Sequence, residues 1–251
     1  MLLKTAKEIE IMRAGGKILA KVRDKLAEEA REGVILKELD RLAEKLIKKA
    51  GGRPAFLGYK PEGADKPYPA SVCASVNEVI VHGLPNNYRL QLGDILKIDL
   101  GLLYKGYYTD TAITVGIGKI SPLAEKLIST AKKALELAIE ECQPGKTLGD
   151  IGHVISQQVE SHGFSIVKEL TGHGIGKKLH EQPIVFNNGQ PGAGVILAEG
   201  MTLAIEPMIS AGGAEIIKLP DDSYATKDKS LSAHFEHTVA IIKDGSRILT
   251  I

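Results

Sequence analysis

Apolar residues first recur at helical spacing in Ile9, Met12, Ile18, Leu19, Val22 and Leu26, a period that predicts an amphipathic helix. Thr5-Ala-Lys-Glu8 in front of it reads as a capping box, in which hydroxyl and carboxylate each satisfy an orphan amide. The helix is expected to break at Gly33, and a second, from Leu36 to Lys49, to stop at Gly51-Gly52. Farther along, the plan repeats. Ser121-Pro122 opens a helix with proline at its favoured first position, Gln143-Pro-Gly145 breaks it, and another helix runs from Leu148 to Gly163. After each helix pair the pattern turns to short β-branched runs. Gly93 to Asp99 is echoed by Gly200 to Glu206, and Thr109 to Val115 by Phe235 to Ile241. These ordered echoes predict a duplicated α+β unit, about 1–115 and about 116–251, with antiparallel sheet inside and helices outside. No polar linker separates the halves, so a single domain over 1–251 is expected. The Pro- and Gly-rich stretch Lys60 to Pro69 reads as a loop within the first half.

Acidic residues interrupt the strand-like text. With Lys105-Gly106 as a two-residue hairpin turn, Tyr104 pairs with Tyr107 and Asp110 falls opposite Gly101. Asp99 then projects from the same sheet face, and diagonal neighbours of this kind stand about 7–8 Å apart. Gly101 is expected to leave room for ions between them. Glu206 and Glu236 repeat the anomaly in the second half. Carboxylates buried without compensation are too costly, so four of them at matching places predict a cage for divalent cations. An imidazole would tune such a cage toward Mn, Fe(II), Co or Zn, and the glycine-flanked His173 is the candidate. His82 and His180 are also singled out, His153 and His162 lie in helical text and read as structural or surface residues, and His234 and His237 stay unassigned.

Composition narrows the setting. The 251 residues are 43% hydrophobic and 25% charged, with 32 basic against 31 acidic side chains and a net charge of +1, which argues against a nucleic-acid-binding role. No apolar run approaches the length of about 18 residues that a membrane-spanning helix needs, and the start of the chain lacks the features of a signal peptide. Two cysteines make no disulfide framework, so a cytoplasmic location is expected. His180-Glu181 is not followed by the second histidine of a helical zinc-protease motif, and no serine sits in a nucleophile elbow.

Taken together, Ser71 to Val79, Val81 to Pro85, Ile98 to Gly101, Gly106 to Thr111, Gly172 to Gly176, Leu179 to Glu181, Thr202 to Met208 and Leu231 to Val239 resemble the type I methionine aminopeptidases, of the pita-bread metallopeptidase fold. The resemblance covers essentially the whole chain. It implies two divalent metal ions, one held by Asp99, the other completed by His173 and Glu206, with Asp110 and Glu236 bridging. It gives His82 and His180 substrate contacts that stabilise the tetrahedral intermediate, and Glu206 a proton-relay role. Cys73, with Tyr59 or Tyr68, would line the pocket for the methionine side chain, whose thioether favours soft and aromatic contacts. The implied activity is removal of initiator methionine from nascent polypeptide N-termini when the second residue is small, by a monomer with transient ribosome association. On that specificity the chain's own start, Met1-Leu2, is a poor substrate. Two features depart from the family pattern: a longer loop between Tyr59 and Tyr68, and no tryptophan near Asp221 to Tyr224. The competing readings are a partner- or ribosome-binding relative without catalysis, and an aminopeptidase or dipeptidase of other specificity.

Overall fold

The computed structural model describes residues 3–60 and 66–251. Met1-Leu2 and the centre of the Tyr59–Tyr68 loop lie outside the described residues, and with them any effect of that loop's length on the pocket rim. Four helices cover the outside: α1 (Ala6–Glu29), α2 (Leu36–Lys49), α3 (Pro122–Glu140) and α4 (Leu148–Ser161). Each start follows from its sequence. Thr5 and Glu8 form the expected capping box on α1, Thr147 and Asp150 form another on α4, and Ser121 caps α3 ahead of its proline.

Nine strands among the described residues form one curled sheet that draws on both halves of the chain. Its spine is the hairpin of Ile95–Tyr104 and Tyr107–Gly116, and Glu236–Ile242 pairs beside it through Glu236 opposite Ala112. Thr202–Ile205 follows, then Gly172–Gly174 and the edge strand Glu181–Val185. The hairpin turn has the expected register, Tyr104 with Tyr107 and Gly101 with Asp110. Lys105 and Gly106 both take positive φ, 48° and 81°, as a tight turn matched to strand twist requires.

The spine strand is buried on both faces, from Ile95 to Leu102. Leu96, Ile98, Leu100 and Leu102 pack with Leu19, Leu26, Leu39 and Ile47 of α1 and α2. In the second half Leu203, Ile205, Val239 and Ile241 pack with Leu127, Ala131, Ile151 and Ile155 of α3 and α4. Because strand side chains alternate, the residues between these face the other way, away from the helices. That face carries Asp99, Asp110, Glu236 and, past the end of its strand, Glu206. Two short three-stranded sheets flank it: Ser165–Ile166, Met208–Ser210 and Ser232–His234 in one, and Val79–Val81, Ile216–Lys218 and Tyr224–Thr226 in the other.

Helix α1 lies so close to the sheet that glycine is required in its middle. A Cβ on Gly16 would sit 2.1 Å from the Leu249 carbonyl oxygen, which is backbone and cannot move aside. In an exposed helix, replacing glycine by alanine gains about 1 kcal/mol. Here Gly16→Ala is expected to destabilise the fold by about 2 kcal/mol as the helix is pushed off the sheet. A urea titration read by circular dichroism measures this, and a midpoint equal to or above that of the wild type would refute the close-packing argument.

Candidate metal centre and active site

The sheet places four carboxylates on one concave face. Asp99 lies opposite Ala112, Asp110 opposite Gly101, and Glu236 opposite Ala112 from the other side, so all three point the same way. His173 pairs with Ala204, two residues before Glu206, and shares that face. Ligand atoms of Asp110, His173 and Glu236 lie within 4.8 Å of one another, a separation that a single cation can span. All five residues border one cleft of about 1350 Å³.

Burial governs the electrostatics. Removal from water pushes the Asp110 carboxyl up to about 7. Asp99, Glu206 and Glu236 are raised well above the usual carboxylate range, first by desolvation and then by one another's charge and that of Asp110. Oδ1 of Asp99 and Oε1 of Glu236 are buried without a hydrogen-bond partner. The His173 ring is more telling still. Nδ1 lies 2.8 Å from the Gly174 carbonyl oxygen, an acceptor only, so Nδ1 carries the hydrogen and Nε2 keeps its lone pair. That lone pair faces Glu206 Oε1 at 3.6 Å. Burial holds the imidazole down at about 4, so it is neutral near pH 7. Two electron-pair donors that face each other at this distance are reconciled by a shared proton or by a cation between them. A hard-oxygen set with one imidazole fits a divalent transition metal.

Gly101 does not provide the space expected of it. A Cβ there would meet Ala55 Cβ at 2.8 Å and Phe56 Cε1 at 3.0 Å, so its missing side chain admits the Ala55-Phe56 segment over the sheet, not ions.

The other predicted residues ring the same cleft. His180 stacks edge-on against His173 with ring centroids 4.4 Å apart, and its Nδ1 lies 2.7 Å from the Tyr59 hydroxyl. Desolvation, with His173 and His82 beside it, lowers the His180 ring to about 3. His82 takes φ of 60°, a left-handed conformation rare for a side-chain-bearing residue, and burial lowers its pKa too. Cys73 lies opposite Asp99, fully buried, with its thiol pushed up by burial and then by the Asp99 charge. Tyr68 shares a hydrogen bond with that thiol and reaches the carbonyls of Val72 and Gly83. Tyr59, Tyr68 and Cys73 thus all line the cleft, though Tyr59 also engages His180 directly.

Four further residues were not singled out by sequence reasoning. Phe56 meets Tyr68 edge-on at 6.4 Å, and Tyr224 meets His82 in the same manner at 5.9 Å, in the segment where a tryptophan was looked for. His234 is 1% exposed, with Nε2 at 3.4 Å from Glu206 Oε2. It ends the short strand Ser232–His234, which belongs to a different sheet from the strand that Glu236 opens, so alternation does not relate the two. Lys97, equally buried, spans the two halves by donating to the carbonyls of Asn77 and Ser232.

Comparison with known proteins places this arrangement. Residues 10–243 match the pattern of metallopeptidase family M24. The chain is 45% identical to the methionine aminopeptidase of Aquifex aeolicus, covering 99% of this chain and 98% of that protein. It is 44% identical to that of Clostridium perfringens, covering 100% and 99%. The crystal structure of methionine aminopeptidase from Thermotoga maritima superposes with a TM-score of 0.96 at 39% identity, covering 100% and 99%. Prolidase from Pyrococcus furiosus superposes with a TM-score of 0.78 at 25% identity, and this chain spans 65% of it. The resemblance read from the motifs thus extends along the whole chain and into the pita-bread fold, and the chain belongs to metallopeptidase family M24.

Proposed function

We propose that this protein is a methionine aminopeptidase that removes the first methionine of a polypeptide when the second residue is small. The observation that carries the reading is the facing pair of lone-pair donors, His173 Nε2 and Glu206, beside Asp110 and Glu236 at the floor of a cleft lined by Cys73, Phe56 and Tyr68. Asp99, Asp110, His173, Glu206 and Glu236 would hold two divalent ions, with Asp110 and Glu236 shared between them. Bound there, such ions lower the pKa of a water, polarise a carbonyl and anchor a free α-amine.

The chain's own residues have separable tasks. Glu206 is the proton carrier, taking a proton from the attacking water and passing it to the leaving amine. His180 donates to the carbonyl oxygen as charge develops there. The raised pKa of Tyr59 keeps its phenol protonated, and its O–H directed at Nδ1 leaves Nε2–H free to serve as that donor. His82 approaches the same bond from the other wall. Phe56, Tyr68 and Cys73 surround the methionine side chain. Nascent chain N-termini as substrate, action as a monomer, a cytoplasmic setting and transient ribosome contact belong to the same reading. Both cysteines being unpaired is in keeping with a reducing compartment.

Metal-dependent stabilisation tests the centre without reference to activity. Ions that bind only the folded chain at 100 times their Kd stabilise it by about 2.7 kcal/mol. Adding Mn, Co, Fe(II) or Zn to chelator-treated protein is therefore expected to raise Tm, and Asp110→Asn or Glu236→Gln to weaken that response and lower kcat/KM by about 10²-fold or more. Elemental analysis finding two ions in either variant would remove the shared-ligand assignment.

His180→Ala is expected to lower kcat by about 10²–10³-fold with metal content unchanged. Tyr59→Phe would cost only about fivefold, the kinetic equivalent of one hydrogen bond of about 1 kcal/mol. Loss of a metal equivalent in His180→Ala would make this residue a ligand instead.

Crowding around the scissile bond sets the last expectation. Two ring pairs, His173 with His180 and His82 with Tyr224, border the cleft there and narrow the space beyond the methionine. Peptides beginning Met-Ala or Met-Gly should be cleaved well, and Met-Leu or Met-Lys poorly. Comparable kcat/KM for Met-Ala and Met-Leu would refute the steric argument.

A further inference from the structure

The loop that presents His180 is gripped from behind by the first residues of the fold. Glu181, directly after His180, turns its carboxylate back into its own loop, where Oε1 accepts the amides of Lys177 at 2.6 Å and Lys178 at 3.0 Å. Its other oxygen meets Lys4 Nζ at 2.5 Å, in a pair whose side chains are only 3% and 9% exposed. Lys4 is seated by its surroundings. Its amide donates to the Gly200 carbonyl at 2.7 Å, and a Cβ on Gly176 would lie 2.2 Å from Lys4 Cε. The lysine stem thus lies directly over Gly176, whose φ of 155° itself disfavours a side chain. A second tie runs in parallel. The Tyr107 hydroxyl donates to Glu8 Oε1 at 2.6 Å, while the Lys177 ammonium bonds that hydroxyl and lies 3.7 Å from the ring centroid. Glu8 is also the capping carboxylate of α1. The start of α1 thus holds the loop at Lys177 and Glu181, on either side of His180, while Tyr59 holds the imidazole from the front.

We infer that Lys4 and Glu181 are positioning residues, a buried ion pair that fixes the His180 loop so that the imidazole faces the substrate; this rests on the substrate-contacting role proposed for His180. Neither touches a reacting atom. A solvent-exposed pair would contribute little, because water screens it and the side chains lose freedom. Shielded, the pair behaves differently: removing the ammonium leaves Oε2 of Glu181 without its cation, so that two amides on Oε1 alone hold the carboxylate. Glu181 must then turn outward toward water and release the Lys177 and Lys178 amides that shape the turn. A displacement of His180 by about 1 Å would be felt as up to about 10²-fold in rate.

The test uses Lys4→Met, which keeps the stem and deletes the charge, Glu181→Gln, which weakens the pair from the other side, and Lys4→Arg, which restores charge. Carbon-13 histidine spectra of the metal-free proteins read the ring environment without any dependence on activity. The His180 resonance is expected to shift or broaden in Lys4→Met and Glu181→Gln, with His153 and His162 of the distant α4 region unmoved. In the metal-loaded proteins kcat on a Met-Ala peptide should fall about tenfold, with KM and metal content unchanged, and Lys4→Arg should recover part of the loss. An unmoved His180 resonance, or a fall in kcat matched by lost metal, would overturn the inference. If Lys4→Met does not fold, Glu181→Gln carries the same readouts. Wild-type protein inactive on Met-Ala, with the resonance shift still seen, would count against the proposed function and leave the positioning intact.

Discussion

The structure turns on the cost of holding four carboxylates out of water on one sheet face. Desolvation raises all four of Asp99, Asp110, Glu206 and Glu236, neighbouring charge raises Asp99, Glu206 and Glu236 further, and among the described residues no lysine or arginine forms an ion pair with any of them. Buried charge without a partner costs several kcal/mol per group, more than any single surface interaction could return. The sheet therefore has to be rigid enough to keep the groups converged, and it is. Its spine is buried on both faces, and both helix pairs pack against its back. That rigidity suits the face to the cation-binding role proposed for it.

The same desolvation acts on the imidazoles in the opposite direction. It holds His173 at about 4 and the fully buried His234 at about 3, and acts in the same direction on His82 and His180 at the cleft wall, so the rings favour the neutral form just as the acids do. Neutrality serves both of the roles proposed for these rings. His173 can offer a lone pair only when Nε2 is unprotonated, and His180 can take a directed O–H from Tyr59 only through an unprotonated Nδ1. A wetter cleft would relax the acids and charge the histidines, and both properties would be lost together.

Much of this was legible in the sequence because it follows from period. Helix starts at Thr5 and Ser121 are local chemistry, and the Lys105-Gly106 turn fixes the register that brings Asp99 and Asp110 together. What escaped depended on contacts between segments far apart in the chain. Gly101 reads as open space until the Ala55-Phe56 segment is seen lying over it. His234 and Tyr224 belong to short strands whose partners, Met208 and Val81, are set by tertiary pairing and not by alternation. The burial of Lys97 is equally nonlocal, since its ammonium is satisfied by carbonyls from residues 77 and 232. Pattern predicts faces, and it does not predict what crosses them.

His82 shows how that crossing is used. Its φ of 60° is sterically unfavourable for a residue with a Cβ, costing of order 1 kcal/mol or more. The strain is held because the next residue cannot move. A Cβ on Gly83 would lie 2.7 Å from the Ala74 carbonyl, and the Gly83 amide donates to Ser75 Oγ at 3.0 Å. The chain is thereby turned sharply at the end of Val79–Val81, which directs the imidazole into the cleft and onto Tyr224. Ala74 and Ser75 belong to the strand that also carries Cys73 opposite Asp99. One short strand therefore lines the cleft, sets Cys73 beside Asp99 and holds a histidine in a conformation it would not adopt alone. Pocket, centre and histidine share one rigid support, so their relative positions are set before any substrate arrives.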